Sequence, residues 1–103
     1  MNLKLIIADD EELIREGLAN LDWEQLNITV AGTAANGEEA LKLSQSIQPD
    51  LIISDIRMPR RDGIWLANQL RQFCPDTKII FLSGYNDFEY TQQAIRLGVA
   101  EYV

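Results

Sequence analysis

Three aspartates and one serine are the side chains in this sequence best placed for chemistry: Asp9, Asp10, Asp55 and Ser83. Each follows a short apolar run. Leu3 to Ala8 leads into Asp9-Asp10-Glu11-Glu12, Leu51 to Ile53 leads into Ser54-Asp55, and Lys78 to Leu82 leads into Ser83-Gly84. Taken singly, each has an ordinary explanation. Acids at a helix start complement the helix macrodipole, Asp55 reads as a cap or turn residue, and Ser83-Gly84 reads as a turn. Taken together, three strand ends carry groups suited to magnesium and phosphate chemistry. Carboxylates that converge without a cation repel one another, and at least one takes up a proton. A hard divalent ion relieves that repulsion. Magnesium, held by one or two carboxylates and several waters, fits an oxygen-only site of this kind.

The elements that must position these groups follow from periodicity. Apolar strands are expected at Leu3 to Ala8, Ile28 to Gly32, Leu51 to Asp55, Lys78 to Leu82 and from Val99 onward. Helical spacing separates them. The first helix carries Ile14, Leu18 and Leu21 as its stripe and exits at Asp22-Trp23. The second opens at Asn36-Gly37-Glu38-Glu39, with Asn36 as cap, an inward face of Ala40, Leu43 and Ile47, and Pro49 as its end. The third opens near Gly63 with Leu66, Ala67, Leu70 and Phe73 inward. The fourth runs from about Asp87 and stops at Gly98. Pro59 has no N–H to donate, so the chain after Asp55 does not continue as a ladder strand.

The resulting order, β-α-β-α-β-α-β-α-β, is that of an α/β fold, a doubly wound parallel five-stranded sheet joined by right-handed crossovers. At least three strands are apolar throughout, which signals burial on both faces. In such sheets functional groups collect beyond the C-terminal strand ends where the strand order reverses. A flavodoxin-like order 2-1-3-4-5 makes the first and third strands neighbours and brings Asp9, Asp10 and Asp55 together.

Composition narrows the function classes. The chain has 103 residues, one cysteine, no histidine and a net charge of −7, and 47% of it is apolar. That is one domain with enough apolar content for a core. The absence of histidine removes histidine zinc sites, histidine bases and Ser-His-Asp triads. The acidity argues against nucleic-acid binding through this segment's own surface. Cys74 is expected to be a small buried hydrophobe, and a single cysteine with no disulfide suits a reducing compartment. No signal-like segment is present, and no apolar run approaches the about 20 residues of a membrane span, so a cytoplasmic protein without membrane contact is expected.

Over its whole length the chain resembles the receiver domain of bacterial two-component response regulators. The resemblance rests on Asp9-Asp10 after the first strand, Asn36-Gly37-Glu38-Glu39-Ala40-Leu41 at the second helix, and Asp55-Ile-Arg-Met-Pro59-x-x-Asp62-Gly63. It also rests on Ser83-Gly84 and on Tyr102. It implies that Asp55 is the phosphoacceptor for a phosphohistidine on a sensor histidine kinase. It further implies that Asp10, Asp55 and the backbone carbonyl of Arg57 ligate Mg2+, with Asp9 acting through a bound water. Ser83 would turn toward the phosphoryl group, and Tyr102 would move inward with it. The chemistry agrees, because a carboxylate is a workable nucleophile toward an activated phosphoryl donor and needs little beyond positioning and charge compensation. Gly17-Leu18, Leu21-Asp-Trp23 and Ser83-Gly84-Tyr85-Asn86-Asp87-Phe88-Glu89-Tyr90 look like receivers joined to an AraC-type DNA-binding part. DNA contact would then belong to a C-terminal domain outside this sequence, and the output would be transcription regulation. Pairing into a homodimer on the fourth-helix face is common in the family.

Receivers normally carry a lysine two residues beyond the position of Val103 and then a fifth helix, so residues 1–103 are expected to be a C-terminally truncated receiver with the fifth helix missing. Weaker switching, reduced stability and one sheet face bare beside the first helix are expected in consequence. Arg60 and Arg61 stand where small or neutral residues are common, and with Arg57 they place three positive charges after Asp55. The chain is not expected to be an enzyme: an aspartyl-phosphate phosphatase usually has a second aspartate where Arg57 stands. A flavin site is disfavoured by acids where a phosphate loop would be needed. The remaining alternative is a phosphate-independent, degenerate receiver acting as an interaction module.

Overall fold

The computed structural model describes residues 2–82 and the backbone of residues 101 and 102. Its strands are β1 (Leu3–Ala8), β2 (Ile28–Ala34), β3 (Leu51–Asp55), β4 (Lys78–Leu82) and β5 (Glu101–Tyr102), and its helices are α1 (Glu12–Ala19), α2 (Gly37–Ile47) and α3 (Gly63–Phe73). The strands form one sheet in the order β2-β1-β3-β4-β5, with every pair parallel. The doubly wound, flavodoxin-like topology expected from the sequence is therefore the one observed. The fourth helix, Ser83-Gly84 and Gly98 lie outside the described residues.

Right-handed crossovers decide which face each helix covers. The β1-to-β2 connection runs toward one edge, whereas the connections from β2 to β3 and β3 to β4 run the other way. Consequently α2 and α3 share one face and α1 takes the opposite one. The main core lies under α2 and α3, where Ile6, Ala8, Ile52, Ile79 and Phe81 of the sheet meet Ala40, Leu66, Ala67 and Leu70. Leu5 and Ile7 alternate with Ile6 and Ala8, so they point to the α1 face, and they too are fully buried.

Burial on both faces holds for the last four residues of β1 but not for β3 and β4. There Ile52, Ser54, Ile79 and Phe81 are buried, whereas Leu51, Ile53, Ile80 and Leu82 on the α1 face are only partly so. The stripe on α1 also departs from expectation. No residue of that helix is buried, and Leu13, Ile14 and Leu21 are exposed. The helix is only eight residues long, and the chain leaves it through a 3-10 turn at Trp23–Leu26 that periodicity did not reveal. The Trp23 indole N–H donates to the Leu18 carbonyl at 2.7 Å and closes that exit.

Phe73, the last residue of α3, is 45% exposed. Cys74 takes the inward position instead, 2% exposed, with its thiol directed at the Ser44 carbonyl of α2. The burial expected of Cys74 is thus met, at Phe73's expense.

The start of α2 follows the sequence closely. Asn36 Oδ1 accepts from the Glu39 amide at 2.9 Å, and Glu39 Oε1 accepts from the Ala35 amide at 3.2 Å. The Asn36 side chain thereby satisfies a donor that a helix start otherwise leaves bare, and Glu39 reaches back to the residue before the cap. Asn36→Ala is expected to cost about 1 kcal/mol, read as a lower urea midpoint with an unchanged slope. An unchanged midpoint would mean that the cap contributes nothing.

Candidate functional site

Two strands deliver the site. Asp9 directly follows β1, and its amide donates to the Ala34 carbonyl of β2 at 3.0 Å. Asp55 is the last residue of β3, one step beyond Ser54, whose partner on β1 is Ala8. Parallel pairing therefore ends β1 and β3 side by side. The carboxylate oxygens of Asp9, Asp10 and Asp55 lie within 4.8 Å of one another, the one cluster of this kind among the described residues. The expectation that these acids converge is met.

The three are not equivalent. Asp9 is 2% exposed, Asp55 is partly buried and Asp10 is exposed. Asp9 Oδ1 accepts from the Glu11 amide, and the Arg15 guanidinium donates to the Asp9 carbonyl, both at 2.8 Å. Asp55 Oδ1 accepts from the Ile56 amide at 2.8 Å. Burial first, then the charge of Asp9, pushes the Asp55 carboxyl up from 3.8 to about 6; the charge of Asp10 adds to this, while the Ile56 and Arg57 amides pull it back. Burial and the neighbouring Asp10 charge also raise Asp9, against the Glu11 amide and Arg15. The cluster thus has the raised protonation expected of gathered carboxylates, which Arg15 offsets only in part at Asp9.

This has a consequence for stability. The folded chain holds the Asp55 proton more tightly than the unfolded chain does. Its contribution is therefore fully present below the ordinary carboxylate value and is lost as pH rises from 3.8 through about 6. The metal-free chain is expected to lose on the order of 1 kcal/mol over that window relative to Asp55→Asn, a figure reduced for solvent screening at a partly exposed carboxylate. Thermal melts of both chains from pH 4 to 7 measure it, and parallel Tm curves would refute it.

The loop from β3 to α3 forms the rest of the wall. A cavity of about 340 Å³ beside the cluster is lined by Asp10, Arg57, Met58, Pro59 and Asp62. Ile56 and Met58 anchor the loop in the core, and the Gly63 amide donates to the Ile56 carbonyl at 2.7 Å. Asp62 caps α3 through a 2.9 Å bond from the Trp65 amide. A Cβ at Gly63 would sit 2.5 Å from the Asp55 carbonyl oxygen and 3.0 Å from the Phe81 ring, so only glycine lets α3 start this close to Asp55. Sequence reasoning placed Asp62-Gly63 at a helix start but missed this close approach. The Asp-Gly pair after the proline was its only signal. Arg15, which holds the Asp9 backbone, was also missed.

Of the remaining candidates, Ser83 lies outside the described residues, and Tyr102 is on β5 with its Cα opposite that of Phe81.

A parallel α/β sheet in this order, with acids gathered at the ends of β1 and β3, defines the class of the chain as a receiver-type fold. The family model for the response regulator receiver domain matches residues 5–103, and the chain belongs to that family. It is 46% identical over 101 residues to an uncharacterized response regulatory protein of Staphylococcus epidermidis, with 97% of this chain and 39% of that protein covered. It is 44% identical to the transcriptional regulatory protein HptR of Staphylococcus aureus, over the same shares. The chain thus spans well under half the length of these relatives. Among solved structures it resembles the REC domain of AraT, a response regulator from Geobacillus stearothermophilus, with a TM-score of 0.93 and 41% identity. That match covers 100% of this chain and 81% of the other.

Proposed function

We propose that this chain is a phosphorylation-operated switch in which Asp55 receives a phosphoryl group from a phosphohistidine of a sensor histidine kinase. The observation that carries this reading is the convergence of Asp9, Asp10 and Asp55 at the ends of two adjacent strands. An Asp55 carboxylate oxygen forms the new bond to phosphorus as the phosphorus–nitrogen bond breaks. The electron pair leaves with the imidazole, which takes up a proton. The acyl phosphate so formed is labile, which suits a signal rather than a product, and the chain acts as a switch and not as a turnover enzyme.

The donor set fits magnesium, being composed of oxygens only and gathering three carboxylates. Asp10, Asp55 and the Arg57 carbonyl would hold the ion, with Asp9 acting through water. When bound it would offset charge on the phosphoryl oxygens. Asp9 also keeps the end of β1 in place through its bonds to Glu11 and Arg15. Ser83 and Tyr102 are proposed as the groups that respond to the phosphoryl group, Ser83 by turning toward it and Tyr102 by moving inward.

The proposed output is control of transcription through a DNA-binding part beyond these residues, with self-association of the phosphorylated form as one route. The relatives HptR and YesN, both named as transcriptional regulatory proteins and both longer than this chain, support it. A cytoplasmic place belongs to the same reading, and among the described residues no helix is long and apolar enough to cross a membrane.

The test is intact mass after exposure to acetyl phosphate, with and without Mg2+. A magnesium-dependent gain of one phosphoryl group is expected. No gain, here or in a version extended through the family's lysine and fifth helix, would leave the interaction module as the better account.

A further inference from the structure

We infer that the start of α2 is a clasp that sets the geometry of the β3–α3 loop, with Gly37 as its positioning residue. This inference rests on the reading of Asp55 and its acidic neighbours as a magnesium-dependent phosphorylation site.

Three observations carry it. The Gly37 amide donates to the Arg61 carbonyl at 2.9 Å, and the Glu38 amide donates to the Arg60 carbonyl at 3.3 Å. The next two amides of α2, those of Glu39 and Ala40, are taken by the side chain and carbonyl of Asn36. The Ala40 bond is the first within the helix; of the donors that the helix start leaves open, those of Gly37, Glu38 and Glu39 are therefore used, and two of them grip the loop. A Cβ at Gly37 would lie 2.5 Å from the Arg61 carbonyl oxygen and 2.9 Å from its carbon, so no side chain fits between helix and loop. Arg60 and Arg61, the residues whose carbonyls are gripped, have φ of 50° and 83°. Two successive non-glycine residues at positive φ form an unfavourable backbone that persists only when its surroundings impose it.

The rest of the contact agrees with this. Arg60 pairs with Glu38 at 3.2 Å, an exposed pair that adds little holding power by itself. The Arg61 guanidinium lies 5.3 Å from the centre of the Trp65 ring. The gripped segment joins Arg57, Met58 and Pro59 to Asp62, the residues that wall the cavity beside Asp10. The backbone of Arg57, proposed to offer its carbonyl to the ion, is thus held from both sides. Gly63 fixes the loop under Asp55, and Gly37 fixes its outer turn. Coupling through such a contact is reciprocal: whatever steadies the loop must also steady the first amides of α2.

The test uses the chain in two measurements. First, amide hydrogen exchange is followed by NMR with and without Mg2+. The Gly37 and Glu38 amides are expected to slow by about fivefold or more, while the Gln48 amide, bonded to Ser44 at the far end of α2, stays unchanged. Unchanged exchange at Gly37 and Glu38 in a chain that Mg2+ renders competent for phosphorylation overturns the clasp. Second, the rate of Asp55 phosphorylation by acetyl phosphate is measured against Mg2+ concentration in Gly37→Ala. The half-saturating Mg2+ concentration is expected to rise about tenfold, as for loss of a group that orients a metal ligand. The limiting rate is expected to stay within about twofold. A lower Tm with an unchanged Mg2+ requirement would mean a merely structural glycine and would also overturn the inference. Should Gly37→Ala fail to fold, the exchange experiment decides alone. A wild-type chain that never takes up a phosphoryl group would instead count against the reading of Asp55.

Discussion

An Asp55→Asn chain is expected to take up no phosphoryl group from acetyl phosphate, a loss of at least about a thousandfold in rate, and to melt higher than the wild type when metal-free at neutral pH. The two effects share one cause. The carboxylate is the nucleophile proposed at the end of β3, and an amide of the same shape cannot replace it. The same carboxylate is partly buried and sits against Asp9, which pushes its titration up to about 6. At pH 7 its negative charge is therefore held at a cost to the fold. Removing it relieves that cost by on the order of 1 kcal/mol, equivalent to a rise of about 4–8 °C in Tm for a domain of this size. Asp50→Asn is the control, because Asp50 accepts from the Lys4 amide at the opposite end of the sheet and lies outside the acidic cluster. It is expected to remain phosphorylated. Phosphoryl gain in Asp55→Asn, or its loss in Asp50→Asn alone, would remove Asp55 from the role proposed for it.

Phe81→Ala is expected to have the largest effect on stability, a loss of about 3–5 kcal/mol. Phe81 is fully buried on β4, with Ser54 beside it on β3 and Tyr102 beside it on β5. Its ring edge reaches 3.0 Å from the place where a Gly63 side chain would begin. The ring thus fills the space under the first turn of α3, directly behind the Asp55 carbonyl. Truncation leaves a cavity there, and neighbours held by β-sheet hydrogen bonds relax into it only in part. Against a total stability of about 5–15 kcal/mol, this loss leaves the fold marginal. Phe81→Leu keeps much of the volume and is expected to cost less than about 2 kcal/mol. Urea unfolding of the two variants measures both. A cost below about 1 kcal/mol for alanine would mean that the site is not supported from beneath in this way.

Much of the architecture is legible in the order of residues alone, and the reason is local. The apolar runs at Leu3, Leu51 and Lys78 are too short for helices and rich in β-branched residues, and each ends in a polar group. The handedness of crossovers then leaves few topologies, and the observed order β2-β1-β3-β4-β5 is the one expected. The cap at Asn36 and the helix end before Pro49 are legible for the same reason: each depends on a few neighbouring residues.

Features that depend on residues far apart in the chain are not legible in this way. Spacing alone makes Phe73 an inward residue, yet it is exposed and Cys74 is buried. Spacing also gives α1 an apolar stripe, but whether a stripe is covered depends on what packs over it, and Leu13, Ile14 and Leu21 are exposed. Asp9 and Asp10 are adjacent and identical in kind. Only the turn after β1 buries one at 2% exposure and leaves the other in solvent. The grip of Gly37 on Arg61 joins residues 24 apart in sequence through backbone atoms that every residue possesses, so no side-chain pattern announces it. Residue order and type thus dictate which segments form the strands and where the acids fall on them, and on this the proposal of a cation and a phosphoryl group at the rim rests. Packing sets which acid is buried, how closely the three approach, and what holds the loop beside them, because burial and backbone contact are properties of the folded chain and not of its spacing.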